Sequence, residues 1–260
     1  MSEGILRVER EGAVGRLILD SPAKLNSINT AMWAAIPPAV AAFAADPEIR
    51  CIVVQGAGGK AFSVGADISE FGQKRDNPEQ VHAYEALNTA AYGALARVPK
   101  PVIAEIEGFC IGGGLAVALA CDLRYCDEGA RFGIPAARLG LGYGTAGTRL
   151  LVATVGHTAA REILYSARRY SAAEALALGL VSAVKPAAGL HDFVQGVVAE
   201  MAANAPLTLA AAKTVINAIA TGDAELAEGE AAVERCMTSE DYAEGRRAFG
   251  EKRQPVFKGR

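Results

Sequence analysis

The sequence predicts an α/β protein in which stacked β-α units place a parallel sheet at the core and a helical segment follows. Three observations carry this. Strand-like and helix-like runs alternate over the first 185 residues, a Gly112-Gly113-Gly114 turn leaves a strand-like run and enters a helix-like one, and from Asp192 onward the pattern is helical alone. The division expected is a core over residues 1–195 and a helical segment for oligomerisation over 196–260.

Between Ile5 and Ile18 short apolar runs alternate with polar residues around Gly12, which reads as an antiparallel pair running into a turn at Asp20-Ser21-Pro22. Thr30 is placed to cap a helix to about Ala45. Pro37-Pro38 should kink or split that helix, because proline lacks the amide donor, and Asp46-Pro47 closes it. A strand over 51–54 and a Gly-rich turn over 56–59 precede Lys60-Ala61-Phe62-Ser63-Val64-Gly65-Ala66-Asp67. After a polar loop near Arg75 and Pro78, an Ala-rich helix runs to about Arg97. A strand over 101–106 leads to the triple glycine, an apolar helix reaches Cys121, and further strands are expected over 122–125 and 181–184. Gly222 and Gly245 are the expected breaks in the helical segment.

A chain of 260 residues with 51% hydrophobic and 21% charged residues buries a large core without disulfides. Lys+Arg number 26 against Asp+Glu 29, and the net charge of −3 is spread along the chain, which excludes a general nucleic-acid binder. No basic leader precedes an apolar run at Met1-Ser2-Glu3-Gly4. Glu105, Glu107, Asp122 and Arg124 interrupt the most apolar stretch before it reaches the roughly 18 residues of a membrane span. The cytoplasm is the expected compartment. Cys51, Cys110, Cys121, Cys126 and Cys236 are odd in number and form no CxxC pair, so buried free thiols are expected and no metal site.

The triple glycine leaves amide hydrogens free at a helix start, a turn that suits an oxyanion as well as simple close packing. The turn Val64-Gly65-Ala66-Asp67 offers a second amide, at Ala66. Two amides converging on one carbonyl oxygen would form an oxyanion hole, in which each donor is worth about 10²–10³ in rate.

Residues 103–108, Gly112-Gly113-Gly114 and Leu119-Ala120-Cys121-Asp122, together with Lys60-Ala61-Phe62 and Gly65-Ala66-Asp67, resemble the crotonase superfamily of enoyl-CoA hydratases and isomerases. Pro22-Ala23-Lys24-Leu25-Asn26, Phe132-Gly133, Leu139-Gly140 and residues 244–253 extend the resemblance over nearly the whole chain. It implies a spiral of β-β-α units and a C-terminal helical part that builds trimers, often paired into hexamers. It also implies an acyl-CoA thioester substrate whose carbonyl is held by the Ala66 and Gly113 amides. Coenzyme A arrives with the substrate and no other cofactor is implied. Ala23, Lys24 and Leu25 would wrap the adenine, and Lys60 would approach the phosphates. Ala66, Asp67 and Ile68 would also belong to the coenzyme A-binding residues, and Phe249 and Lys252 would reach a coenzyme A site, in some members that of a neighbouring subunit.

The sequence departs from the hydratase pattern implied by that resemblance. The two hydratase glutamates fall at Ala116 and Ala136, and an isomerase-type acid falls at Gly144. Tyr143 is the nearest ionisable side chain, either a donor or a packed ring with its hydroxyl at a pocket rim. An enolate-stabilising enzyme with weak hydratase activity, a decarboxylase of a malonyl-type thioester, and an acyl-CoA-binding homologue without catalysis are the readings left open. Glu105 and Glu107 alternate on a strand and are expected at the surface or between subunits. Asp67 is expected to bond local amides and Glu70 to be exposed. His82, His157 and His191 have no carboxylate motif, although the family would place His82 near the acyl pocket.

Overall fold

The alternation read in the sequence resolves into a repeating β-β-α turn. In the computed structural model, which describes residues 4–74, 76–220, 222 and 226–260, six strands form one sheet. In spatial order these are β1 (Ile5–Glu11), β2 (Val14–Asp20), β3 (Cys51–Gly56), β5 (Val102–Ile106), β7 (Leu123–Asp127) and β10 (Ala183–Lys185). β1 and β2 pair antiparallel and every later pair is parallel. A smaller sheet aligns β4 (Ala61–Ser63), β6 (Phe109–Ile111) and β8 (Arg131–Gly133) in parallel, with β9 (Tyr170–Ser171) antiparallel at its edge. Each turn of the chain gives one strand to the large sheet, one to the small sheet and then a helix: β3, β4 and α3 (Pro78–Arg97), then β5, β6 and α4 (Gly113–Ala120), then β7, β8 and α5 (Thr145–Ser166). Residues 1–3, on which the leader expectation rests, and Arg75 of the polar loop lie outside the described residues.

Both faces of the large sheet are covered, so β3 opens with the buried apolar run 51–54 and β5 is buried along its whole length, Glu105 included. One face carries the main core, which includes Trp33, Ile52, Leu95, Leu115 and Leu151. The other is covered by α7 (Ala187–Ala202), whose Leu190, Val194 and Val198 meet Val14, Cys51, Val53 and Ile103. The division expected at residue 195 therefore falls inside a helix that packs on the sheet. Beyond it follow α8 (Pro206–Ala220), α9 (Leu226–Met237) and α10 (Glu240–Glu251).

Several local expectations need correction. The cap of α1 (Thr30–Ala45) is Asn29, whose extended backbone lets Oδ1 accept the Met32 amide at 2.8 Å. Thr30 instead donates its amide and its hydroxyl to Glu70 Oε2, both at 2.8 Å, so Glu70 is a half-buried tie to the helix start. The helix runs unbroken through Pro37 and Pro38, because Trp33, Ile36, Val40 and Phe43 on its buried face hold it to the core. Gly245 lies within α10, and the break falls at Ser239, whose Oγ accepts the Tyr242 amide at 3.0 Å. Glu105 is buried at 6% exposure, with Arg16 Nη1 at 3.5 Å and His191 Nδ1 at 3.0 Å, so neither surface glutamate nor unpartnered histidine describes this pair. All five cysteines are free; four are buried and Cys236 is half-buried. Burial pushes the Cys51 thiol up to about 12. Among the described residues no helix is long and apolar enough to cross a membrane.

The chain end folds back over α10. Asp241 accepts the Lys258 and Gly259 amides at 2.7 and 2.8 Å, and Glu244 accepts the Val256 amide at 3.1 Å and pairs with Arg253 and Arg247. The Arg253 bond, the Val256 amide and Arg247 together lower the Glu244 carboxyl from 4.5 to about 2. A carboxyl with a depressed folded value stabilises above its unfolded value and loses that contribution as pH falls through the folded one. Protection of the Val256 amide from hydrogen exchange is thus expected to hold above pH 4.5 and to decay toward pH 2, and Glu244→Gln to lose the step.

Candidate active site

The two glycine turns meet. Beyond β4, segment 64–67 is laced to 25–28: the Val64 amide donates to Leu25 O at 3.1 Å, Ile28 to Gly65 O at 2.7 Å and Asp67 to Ile28 O at 3.0 Å. Asn26, fully buried, locks the same loop through Nδ2 to Ala57 O and Ala61 O at 2.8 and 2.6 Å. Gly65 sits at φ +93, and a methyl group on it would lie 2.9 Å from the Gly113 nitrogen, so both the conformation and the contact require glycine. Gly114 is required by proximity alone, since a Cβ there would stand 2.5 Å from Ser63 O. A Cβ on Gly113 would lie 3.6 Å from the Ala66 nitrogen. These contacts press the start of α4 against the 64–67 turn. Neither the Ala66 amide nor the Gly113 amide donates to any acceptor among the described residues.

Both amides belong to the wall of a cavity of about 240 Å³. Part of its wall is aromatic. Trp33 Nε1 donates to the Tyr84 hydroxyl at 3.0 Å and meets Tyr92 edge to face at 5.7 Å, and Ile134, Ala136, Leu139 and Leu141 add apolar side chains to the wall. Tyr143 donates its hydroxyl to Gly112 O at 3.2 Å, which places it behind the Gly113 amide. Burial, and then the Cys110 thiol, push the Tyr143 phenol far above its ordinary range, so it stays protonated. Burial does the same for Tyr92, helped by Tyr143 and Tyr84. Two unpartnered N–H groups in an apolar cavity with neutral phenols can hold an oxygen that carries negative charge.

The structure brings Ala66, Ile68, Gly113 and Tyr143 to one cavity. Asp67, just outside it, caps the 68–70 turn by accepting the Ser69 amide at 3.0 Å and pairs with Lys24 Nζ at 2.7 Å. Burial alone would raise its carboxyl, but the Lys24 and Ser69 bonds outweigh it and hold the group below the usual range. Ala23 and Lys24 form the short helical turn before Leu25, which has φ +51. Lys60 is exposed at the entry to β4. Phe249 and Lys252 do not line the cavity; Phe249, 88% exposed, lines a separate apolar groove between α8, α9 and α10. Ala136 lines the cavity, whereas Ala116 is fully enclosed in α4 and does not. His82 is exposed on the outer side of α3 rather than in the cavity, because its neighbours Tyr84 and Glu85 take the inner face.

One lining residue has no counterpart among the sequence candidates. Glu85 is half-buried on α3 and is the only carboxylate on the cavity wall among the described residues. Glu85, Asn88, Thr89 and Tyr92 all line the cavity at helical spacing, a polar face legible in the i, i+3, i+4, i+7 pattern of the Ala-rich helix.

A two-sheet β-β-α spiral with such a cavity at the junction of its turns defines a class of fold. The model of the enoyl-CoA hydratase/isomerase family matches residues 9–260. The chain belongs to that family. It is 33% identical over 250 residues to the short-chain-enoyl-CoA hydratase of Clostridium acetobutylicum, covering 95% of each chain. It is also 33% identical over 268 residues to the carnitinyl-CoA dehydratase of Salmonella enteritidis, covering all of both. The crystal structure of an enoyl-CoA hydratase/carnithine racemase from Magnetospirillum magneticum superposes with a TM-score of 0.92 at 35% identity, covering 100% of this chain and 97% of that one.

Proposed function

We propose that the protein is an acyl-CoA enzyme that stabilises a thioester enolate between the Ala66 and Gly113 amides. The observation that carries this reading is the pair of unpartnered amides on the wall of one apolar cavity. A thioester carbonyl gains negative charge when the carbon beside it loses a proton or a carboxylate, and preorganised donors favour that state over the ground state. The cavity of about 240 Å³ lies below the ~300–1,000 Å³ of drug-sized ligand sites, which favours a short acyl group. Tyr143 already spends its hydroxyl hydrogen on Gly112 O, which disfavours it as the donor of a decarboxylase and leaves it to position the Gly113 turn.

The nucleotide end would follow the family arrangement, with Ala23, Lys24 and Leu25 around the adenine, Lys60 near the phosphates, Asp67 and Ile68 beside them, and Phe249 and Lys252 at the end of α10. Lys24 would act from its ion pair with Asp67. The apolar groove of about 950 Å³ around Phe249, with Ile216 and Met237 also largely exposed, supports assembly through a second and third copy as a trimer or a dimer of trimers. Light scattering that finds a monomer at micromolar concentration removes that assembly. The free thiols suit the cytoplasm.

Calorimetry with saturated, unsaturated and carboxylated CoA thioesters tests the reading. Binding of short acyl-CoA is expected, with Lys60→Ala weakening it by about 1–2 kcal/mol, in the range of a charge-assisted hydrogen bond. A β-ketoacyl-CoA should also show a rise in enolate absorbance when bound. Failure of every thioester to bind overturns the reading, and binding without any enolate signal leaves only an acyl-CoA-binding homologue.

A further inference from the structure

We propose that Glu85 is the proton carrier of this cavity, and that the reaction it serves is proton transfer at the carbon beside a thioester, ending in the shift of a carbon–carbon double bond. This rests on the enolate reading above and names its reaction. A Cβ built on Gly144 would lie 3.9 Å from Glu85 Oε1, so α3 delivers a carboxylate to the space that a side chain at position 144 would enter. Every other polar side chain on the wall is an amide, a hydroxyl, a phenol or an indole. The phenols of Tyr92 and Tyr143 are held neutral by burial. Glu85 therefore remains as the one carboxylate on the wall among the described residues.

The fold supplies no other employment for this carboxylate. It has no hydrogen-bond or ion-pair partner among the described residues, although a half-buried carboxylate kept only for stability is normally paired. Glu85 also borders a shallow groove on the outer side of α3, next to His82 and Thr89, through which its proton can exchange with water.

The chemistry balances without a co-reactant. The Glu85 carboxylate takes a proton from the carbon beside the thioester, that C–H bond breaks, and its electron pair moves to the carbonyl oxygen between the Ala66 and Gly113 amides. The resulting carboxylic acid returns the proton to the carbon two positions further on. The electron pair flows back, the carbonyl re-forms, and the double bond moves from the 3,4 to the 2,3 position. Water addition calls for a second group to handle water, and the cavity offers no second carboxylate among the described residues.

The test follows deuterium exchange from solvent into the carbon beside the carbonyl of butyryl-CoA, and isomerisation of but-3-enoyl-CoA, in the wild type and in Glu85→Gln, with calorimetry on the same preparations. Glu85→Gln is expected to bind butyryl-CoA with unchanged affinity and to slow both reactions by about 10²–10⁴-fold, the contribution of a positioned general base. Adding Gly144→Glu to Glu85→Gln should restore part of the lost rate. If Glu85→Gln binds normally and exchanges at the wild-type rate, or if the wild type binds butyryl-CoA and exchanges nothing, the role of Glu85 is overturned and the acyl-CoA reading stands. If the wild type binds no thioester, the acyl-CoA reading fails first and takes this one with it.

Discussion

Water addition to crotonyl-CoA is expected to run about 10²–10⁴-fold slower than in a hydratase with two pocket glutamates, because the cavity wall holds one carboxylate, Glu85, in place of two, and each positioned acid–base group is of that worth. Hydration needs one group to take a proton from water and one to deliver a proton to carbon. Position 136 holds Ala136, on the cavity wall, and position 116 holds Ala116, enclosed in α4, so neither can move a proton. Ala136→Glu is the cleaner rescue. Its side chain would start at 7% exposure on the wall, whereas a glutamate at 116 would start from full enclosure and bear the cost of burying a carboxyl. Rates with crotonyl-CoA should rise in Ala136→Glu and stay low in Tyr143→Phe. A wild type that hydrates at full hydratase speed would falsify this account of the pocket.

Replacing Gly113 by proline should cost about 10²–10³ in turnover on any thioester the protein accepts, the worth of one oxyanion donor. The substitution removes one N–H at the first position of α4, where a helix tolerates proline because that amide has no intrahelical partner. The atom nearest the new Cβ is Trp33 Cζ2, at 3.3 Å. Thermal unfolding should therefore stay close to the wild type while steady-state turnover falls. Equal turnover in Gly113→Pro would show that the Gly113 amide takes no part.

The parts of this molecule that were legible in the sequence are those whose cause is local. The two turns announced themselves through Gly65 and the triple glycine, because a positive φ or a close backbone approach leaves few residues to choose from. The large sheet was readable because its covered strands carry apolar runs, over 51–54 in β3 and 102–104 in β5. The small sheet was not, since strands of two or three residues such as β4, β6, β8 and β9 are too short to show a period. Glu105 looked like a surface residue because its partners, Arg16 and His191, lie 89 and 86 positions away and meet it only through the tertiary fold. Glu85 looked like one more polar residue of an Ala-rich helix. Only the path of α3 past the glycine turns puts its inner face on a cavity.

The amides of Ala66 and Gly113 follow β4 and β6, which are hydrogen-bonded neighbours in the small sheet. Their separation is thus inherited from the spacing of adjacent strands, about 4.8 Å in any sheet, and from two glycine turns rather than from a rotamer. The groups that face them come from elsewhere, from α3 and from residues 134–147. Such an arrangement separates a fixed socket from interchangeable tools. Side chains on the facing segments can be exchanged while the backbone turns that carry the two amides keep their spacing.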